Sequence, residues 1–264
     1  MPIITLTTDL GAQGHYAAVL KGIIYRLCNH ATIVDVSHTV RNFDVMEAAF
    51  VVRGMAFSFP EGTIHLVGVD PESAGNAPAV VMQLRGHYFV GPNNGLMSLI
   101  AEEADAVLVN IENEGLMCAE YPRSFRAARL FAPAAAFLAS GGKLAEVGSK
   151  VDMSELRWGA PTYSNNALRG NIIHIDQFGN AVTNIQRAYF LEVRENRSFE
   201  IFLRNLRLKR IVTTYSDVGK ADALAIFGEQ QYLEIAMREA SAAQLLGLNV
   251  HDMVTVEFSN PNID

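Results

Sequence analysis

The period of the apolar pattern changes once along the chain, and that change limits the fold more than any other feature. Up to about residue 150, apolar or β-branched runs at 2–7, 32–36, 63–69 and 106–110 alternate with helix-like segments at 14–28, 44–57, 95–103 and 130–140. In the first helical segment Ala18, Ile23, Ile24 and Leu27 recur at helical spacing. Strands that alternate with helices pair mostly in parallel, because each helix carries the chain back across the sheet. Arg85-Gly86 separates two further runs, 79–84 and 87–90, as a hairpin turn would. Residues 153–168 carry Gly159, Pro161 and several polar residues, and read as a linker. Short β-rich runs follow at 171–175, 181–185, 199–203, 210–214, 223–226, 233–236 and 253–258, with one helix-like insertion at 240–246. Many short strands with turns between them indicate a small barrel or sandwich. The expected fold is therefore α/β, with an N-terminal layered domain and mostly parallel sheet at 1–152, a linker at 153–168, and a small C-terminal β domain at 169–264.

Composition removes several function classes. Half of the 264 residues are hydrophobic and 19% are charged, which marks a globular chain. A formal charge of −7 gives no footing for nucleic acid or an anionic membrane. The N-terminus is strand-like, and no apolar stretch is long enough to span a bilayer. Cys28 and Cys118 show neither metal-ligand spacing nor a disulfide framework, so a reducing cytoplasm is the expected location. No P-loop or dinucleotide fingerprint occurs; Lys21-Gly22 lies within a helix and cradles nothing. Neither a cofactor nor a metal is expected.

Four places could carry chemistry. Asp9, in Thr7-Thr8-Asp9-Leu10-Gly11, closes the first strand at the sheet edge where open α/β folds bind ligands. Its carboxylate can accept two hydroxyl hydrogen bonds, which suits a ribose diol, or it can cap the next helix. Asp70 ends the third strand and belongs on the same edge. Two neighbouring carboxylates raise one pKa and can yield a general base, or can hold a divalent ion with His38, although His38 reads more simply as a polar strand-end residue. Gly91-Pro92-Asn93-Asn94-Gly95-Leu96 suggests a tight turn with exposed backbone amides, in which Asn94 either caps a helix or reads a polar ligand. Asp176-Gln177-Phe178-Gly179-Asn180 is either a bulged hairpin turn or a set of carboxylate, aromatic face and amide for an ammonium and a purine.

Taken in order, TTDLG at 7–11, KG at 21–22, DVSH at 35–38, VDP at 69–71, GPNNGL at 91–96, LFAPAAAFLASG at 130–141, IDQFGNAVTNI at 175–185, YSDV at 215–218 and YLEIAMREASAAQLLGL at 232–248 resemble the S-adenosylmethionine hydrolase family. These enzymes are also called S-adenosylmethionine hydroxide adenosyltransferases and are related to the fluorinase and chlorinase. The resemblance spans nearly the whole chain. It implies an α/β domain followed by a β-barrel, a homotrimer with sites between subunits, and a nucleoside ligand, S-adenosylmethionine or adenosine. By the same resemblance Asp9 grips the ribose hydroxyls and Phe43 stands where the halogenases place an aromatic. Asp70 and Ser73 lie on the loop around the reacting carbon. Asp176, Phe178 and Asn180 line the pocket and bind the methionine part, and the main chain at 233–237, ending at Met237, faces the adenine.

The chain departs from the family pattern at four places. Ala77 stands where the hydrolases carry an Arg, Arg126 where they carry a His, Gly14 where an Asp is expected, and Glu229-Gln230-Gln231 where a Ser-Arg or Ser-rich loop is expected. Of the Asp-Arg-His set associated with water activation Asp70 remains, which leaves Asp70 and Arg126 as the catalytic candidates. The implied functions are a divergent hydrolase releasing adenosine and methionine, a catalytically silent adenosine- or S-adenosylmethionine-binding protein, or a related enzyme for another adenosyl substrate.

Overall fold

A computed structural model describes residues 1–71, 77–102 and 104–259. The chain divides into two compact units, Met1–Arg157 and Trp158–Asp264.

In the first unit the order is β1 (Ile3–Thr8), α1 (Tyr16–Leu27), β2 (Thr32–Ser37), α2 (Val45–Met55), β3 (Ile64–Gly68), β4 (Ala79–Leu84), β5 (His87–Pro92), α3 (Leu96–Ala101), β6 (Val107–Asn110) and α4 (Ala132–Ala139). The sheet order is β2-β1-β3-β5-β4-β6. β1 runs parallel to β2 and β3, and β3 parallel to β5. β4 returns antiparallel to β5 and pairs antiparallel with β6. The β4–β5 turn holds Arg85 at φ 48 and Gly86 at φ 78, the two positive φ values of the tight hairpin turn that matches strand twist. From β1 the chain first goes outward to β2 and then crosses to β3 on the other side. The carboxyl ends of β1 and β3 thus flank the point where the winding reverses, which is where open α/β sheets hold ligands.

Every residue of β3 is buried, as expected for a strand covered on both faces. On one face Ile4, Leu6, Ile64 and Leu66 join a core with Leu20, Ile23 and Ile24 of α1 and the alanines of α4. Ala132, Ala134, Ala135 and Ala136 are fully buried, and their small side chains let α1 and α4 pack closely. A π-helical turn, Ala127–Phe131, leads into α4. The opposite face carries a buried polar chain: Thr5 Oγ1 lies 2.8 Å from His65 Nδ1, and His65 Nε2 lies 3.2 Å from His87 Nδ1.

The second unit contains β7 (Thr162–Ser164), β8 (Ala167–Ile175), β9 (Ala181–Gln186), α5 (Arg187–Arg194), β10 (Phe199–Leu203), β11 (Leu206–Leu208), β12 (Ala223–Phe227), β13 (Tyr232–Met237), α6 (Ala242–Leu246) and β14 (Met253–Phe258). Its strands follow the order β11-β10-β14-β8-β9-β13-β12, with β7 added on β8. All these pairs are antiparallel. The sheet is barrel-like around Leu168, Ile172, Phe190, Leu233, Ile235 and Val254.

Three local expectations are corrected. Residues 210–214 are not a strand. Only Val212 bridges to Ile226, and Asp217 accepts the amides of Thr213 and Thr214 at 3.0 Å each, drawing the segment into the single turn Tyr215–Asp217. α5 was not expected; it is amphipathic but only eight residues long, lies between two strands and buries only Phe190. Gly91 and Pro92 lie in β5 and are buried, and Asn93 is buried and bonded to Asp152 O and Ser154 N, so this segment presents no open row of amides. Within 153–168, Ser154 and Leu156 bond to Asn93 and Ser98, and Thr162–Ser164 forms β7. Among the described residues no helix is long and apolar enough to cross a membrane.

Candidate functional site

At the switch point of the first unit, Asp9 follows β1 directly. Its Oδ2 accepts the amide of Phe43 at 3.0 Å and that of Asp70 at 3.4 Å, and its carbonyl accepts Asn42 Nδ2 at 3.3 Å. Asp9 is half-buried and caps no helix: α1 is preceded by His15, and α2 is capped by Asp44, whose carboxylate takes the amide of Glu47. Among the described residues Oδ1 of Asp9 receives no hydrogen bond. One oxygen is therefore committed to the fold and the other is open.

Both residues held by Oδ2 are non-glycine residues with left-handed backbones, Phe43 at φ 67 and Asp70 at φ 44. Such conformations cost on the order of 1–3 kcal/mol and persist only where surrounding bonds over-determine them. Here one carboxylate oxygen supplies the bond to each. Phe43 is turned outward and 71% exposed, unusual for a large apolar ring. Asn94 Nδ2 donates to Asp70 O at 3.1 Å and to Val69 O at 3.4 Å, while its Oδ1 accepts Leu96 N at 3.2 Å. Its amide thus fixes the Asp70 backbone and opens α3. Arg126 Nη1 donates to Pro71 O at 2.5 Å, the residue after Asp70. Asp9, Phe43, Asp70, Asn94 and Arg126 are joined in one bonded set. Ser73 lies outside the described residues.

The second unit builds its own pocket at the β8–β9 turn. Asp176 Oδ1 accepts the amides of Phe178 at 2.9 Å and Asn180 at 2.8 Å, and Oδ2 accepts Asn180 Nδ2 at 2.9 Å. The carboxylate is the pin of the turn, and the turn throws Phe178 outward to 72% exposure. Gly179 has φ 83, and a Cβ there would fall 2.0 Å from Ser241 Oγ, so only glycine fits. Ser241 Oγ accepts Gln244 N at 3.2 Å to cap α6, and Gly179 O accepts Ala243 N at 2.9 Å. Asn180, Phe178, Tyr215, Met237, Glu239 and Ala240 line a cavity of about 480 Å³. Tyr215 Oη lies 3.4 Å from Asn180 Nδ2. β9 begins at Ala181, opposite Ile235, so the β13 main chain at Ala236 and Met237 extends past its partner on that side.

Residue patterns did not single out Tyr215, Glu234 or Glu239. The signal for Tyr215 was the Thr214–Asp217 capping pair, a turn signature hidden within a run that reads as a strand. The Glu234 carboxylate accepts no hydrogen bond among the described residues. Burial, with Asp176 and Glu229 nearby, pushes its carboxyl up to about 7. Burial likewise raises the Tyr215 phenol, helped by Glu234 and Asp176. Because Glu234 is higher in the folded than in the unfolded chain, its contribution is full below the unfolded value and is lost as pH rises through 7. Glu234→Gln should stabilise the protein at pH 8 by about 1–2 kcal/mol relative to pH 4, read as the difference in urea midpoints from the parent chain. Among the described residues no group of three His, Cys, Asp or Glu side chains converges as a metal site requires.

Comparison with known proteins matches residues 4–148 to the SAM hydroxide adenosyltransferase N-terminal domain and residues 170–255 to the C-terminal domain of the same name. A fluorinase from Actinoplanes sp. is 30% identical, covering 97% of each chain. An (R)-S-adenosyl-L-methionine hydrolase from Salinispora tropica is also 30% identical, again covering 97% of each. The crystal structure of an uncharacterized conserved protein from Thermotoga maritima superposes with a TM-score of 0.88 at 30% identity, covering 97% of this chain and 99% of that one.

Proposed function

The chain belongs to the SAM hydroxide adenosyltransferase family, and on that premise we propose that it hydrolyses S-adenosylmethionine to adenosine and methionine by attack of water or hydroxide at the ribose C5′. The observation that carries this reading is Asp9, which holds Phe43 and Asp70 with one oxygen and keeps the other open at the switch point. A sulfonium leaves as a neutral thioether, so departure of methionine requires no general acid. What remains is in-line placement of a nucleophile stripped of bulk water. Asp9 Oδ1 accepts from the ribose diol, and the exposed ring of Phe43 covers the sugar. Asp70, whose carboxylate accepts no hydrogen bond among the described residues, orients the attacking water. Arg126 is permanently protonated and cannot be the base. Its part is to hold Pro71 and place positive charge beside the loop. Phe178 and Tyr215 offer faces to a purine, and Asn180 offers a buried amide to its edge.

The proposal extends to a cytoplasmic homotrimer with sites shared between neighbouring subunits, and to folding domains at 1–152 and 169–264 joined by 153–168. Incubation with S-adenosylmethionine should release adenosine and methionine in equal amounts by chromatography. Asp70→Asn should slow that release by about 10²–10⁴-fold, the usual worth of a positioned base. Turnover indifferent to that change would remove Asp70 from the mechanism. A second reading, a silent binder, is favoured by Ala77 and Arg126 standing in place of the family Arg and His; adenosine binding with no turnover would select it. Adenosine released from a different adenosyl compound would select the third.

A further inference from the structure

Beside Asp9 a chain of polar side chains runs from α1 through β2 to the end of β1. Lys21 Nζ lies 2.5 Å from Asp35 Oδ2, Asp35 Oδ1 lies 3.1 Å from His38 Nε2, and His38 Nδ1 lies 2.8 Å from Thr8 Oγ1. Thr8 Oγ1 also accepts the Leu10 amide at 3.4 Å, and His38 O accepts the Gly11 amide at 2.7 Å. Residues on both sides of Asp9 are thus held from a single histidine, once through its ring and once through its carbonyl. Thr8 is fully buried and the His38 side chain only 11% exposed, so water is a poor substitute for either partner. From this geometry we infer that His38 is a positioning residue for Asp9, with Asp35 and Lys21 fixing the tautomer that this role requires.

The direction of every bond in the chain follows from one end. Lys21 can only donate and the Asp35 carboxylate can only accept. Burial pushes the Asp35 carboxyl up, but hydrogen bonds from Lys21 and His38 outweigh it and hold the group below the usual carboxylate range. In the neutral ring His38 therefore carries its proton on Nε2, next to Asp35, and Nδ1 is a bare acceptor. The Thr8 hydroxyl donates to Nδ1, which leaves its lone pairs for the Leu10 amide. Asp35→Asn reverses this order without changing shape. Beside Lys21 the new amide must keep its oxygen toward the ammonium and turn its NH₂ to His38. Nε2 then has to accept, the ring proton moves to Nδ1, and the buried Thr8 hydroxyl loses its acceptor. The same logic governs the histidine of a Ser-His-Asp triad, where replacing Asp with Asn imposes the wrong tautomer on intact geometry.

The inference rests on the adenosyl reading only for its choice of adenosine as a probe, and one arm of the test needs no ligand. In the ligand-free protein, ¹H–¹⁵N spectra should show His38 protonated on Nε2 in the parent chain and on Nδ1 in Asp35→Asn. The Phe43 and Asp70 amide resonances, which report Asp9 Oδ2, should shift with it. Adenosine affinity by calorimetry should fall about tenfold, or about 1.4 kcal/mol, with the melting temperature nearly unchanged. Thr8→Val should lose affinity similarly, and Thr8→Ser should recover it. A parent His38 carrying its proton on Nδ1 would overturn the inference, as would Asp35→Asn with unmoved Phe43 and Asp70 resonances. If the parent protein fails to bind adenosine, the hydrolase proposal falls, while the tautomer and the two amide signals still decide the role of His38.

Discussion

Asp9→Ala should weaken adenosine binding by about a hundredfold or more. The loss has two sources that act together. A charged acceptor facing a ribose diol contributes about 1.5–3 kcal/mol per hydrogen bond, and the substitution removes it outright. The same substitution takes Oδ2 from the amides of Phe43 and Asp70, whose left-handed backbones then have one fewer restraint. Binding should therefore fall more than in Phe43→Ala, which removes only the ring over the sugar and leaves both roles of Asp9 in place. Calorimetry with adenosine measures the effect, and circular dichroism with the melting temperature shows whether the fold survives. Affinity within twofold of the parent chain would mean that the ribose lies elsewhere.

His65→Gln should flatten the acid limb of the stability profile. His65 is fully buried between Thr5 and His87, and burial, with His87 beside it, pushes its pKa down to about 3. His87 is lowered as well, by burial, with Glu61 opposing. A histidine lower in the folded than in the unfolded chain binds its proton preferentially when unfolded. Its contribution is complete above the unfolded value near 6.5 and is lost as pH falls toward 3. The slope across that window is about 1.4 kcal/mol per pH unit for one such group. Glutamine keeps hydrogen-bonding capacity toward Thr5 and His87 but cannot titrate. Urea titrations at pH 7, 6, 5 and 4 on both chains isolate the term, because the carboxylates that also titrate there are common to both. Identical slopes would show that acid does not act through this histidine.

The parts of the fold that could be read in advance were those whose period was long and whose breakers were strong. The β1–α1–β2–α2–β3 run combined β-branched stretches with helical spacing between them, and Arg85-Gly86 stood between two apolar runs as a hairpin turn does. α5 escaped because its eight residues complete little more than two helical turns between strands, and residues 210–214 because a side chain–backbone cap at Asp217 outweighed β propensity. In the candidate site, the placement of Asp9 and Asp70 on one sheet edge followed from strand order alone. The positive φ values of Phe43 and Asp70 did not, since neither residue type advertises that conformation. Tyr215 and Glu234 were hidden for another reason: they reach the Asp176 turn from segments some forty to sixty positions downstream, and only the closure of the β sheet determines which of many polar side chains arrive there.

The joint between Gly179 and Ser241 bears on how this protein could be re-engineered. One atom, Ser241 Oγ, starts α6 and also occupies the space that any larger residue at 179 would require, while the Gly179 carbonyl takes an amide from the first turn of the same helix. The aromatic loop and the helix start are therefore a single mechanical part. A loop transplanted from a relative to alter selectivity will seat properly only if 176–180 and 241–244 travel as a matched pair.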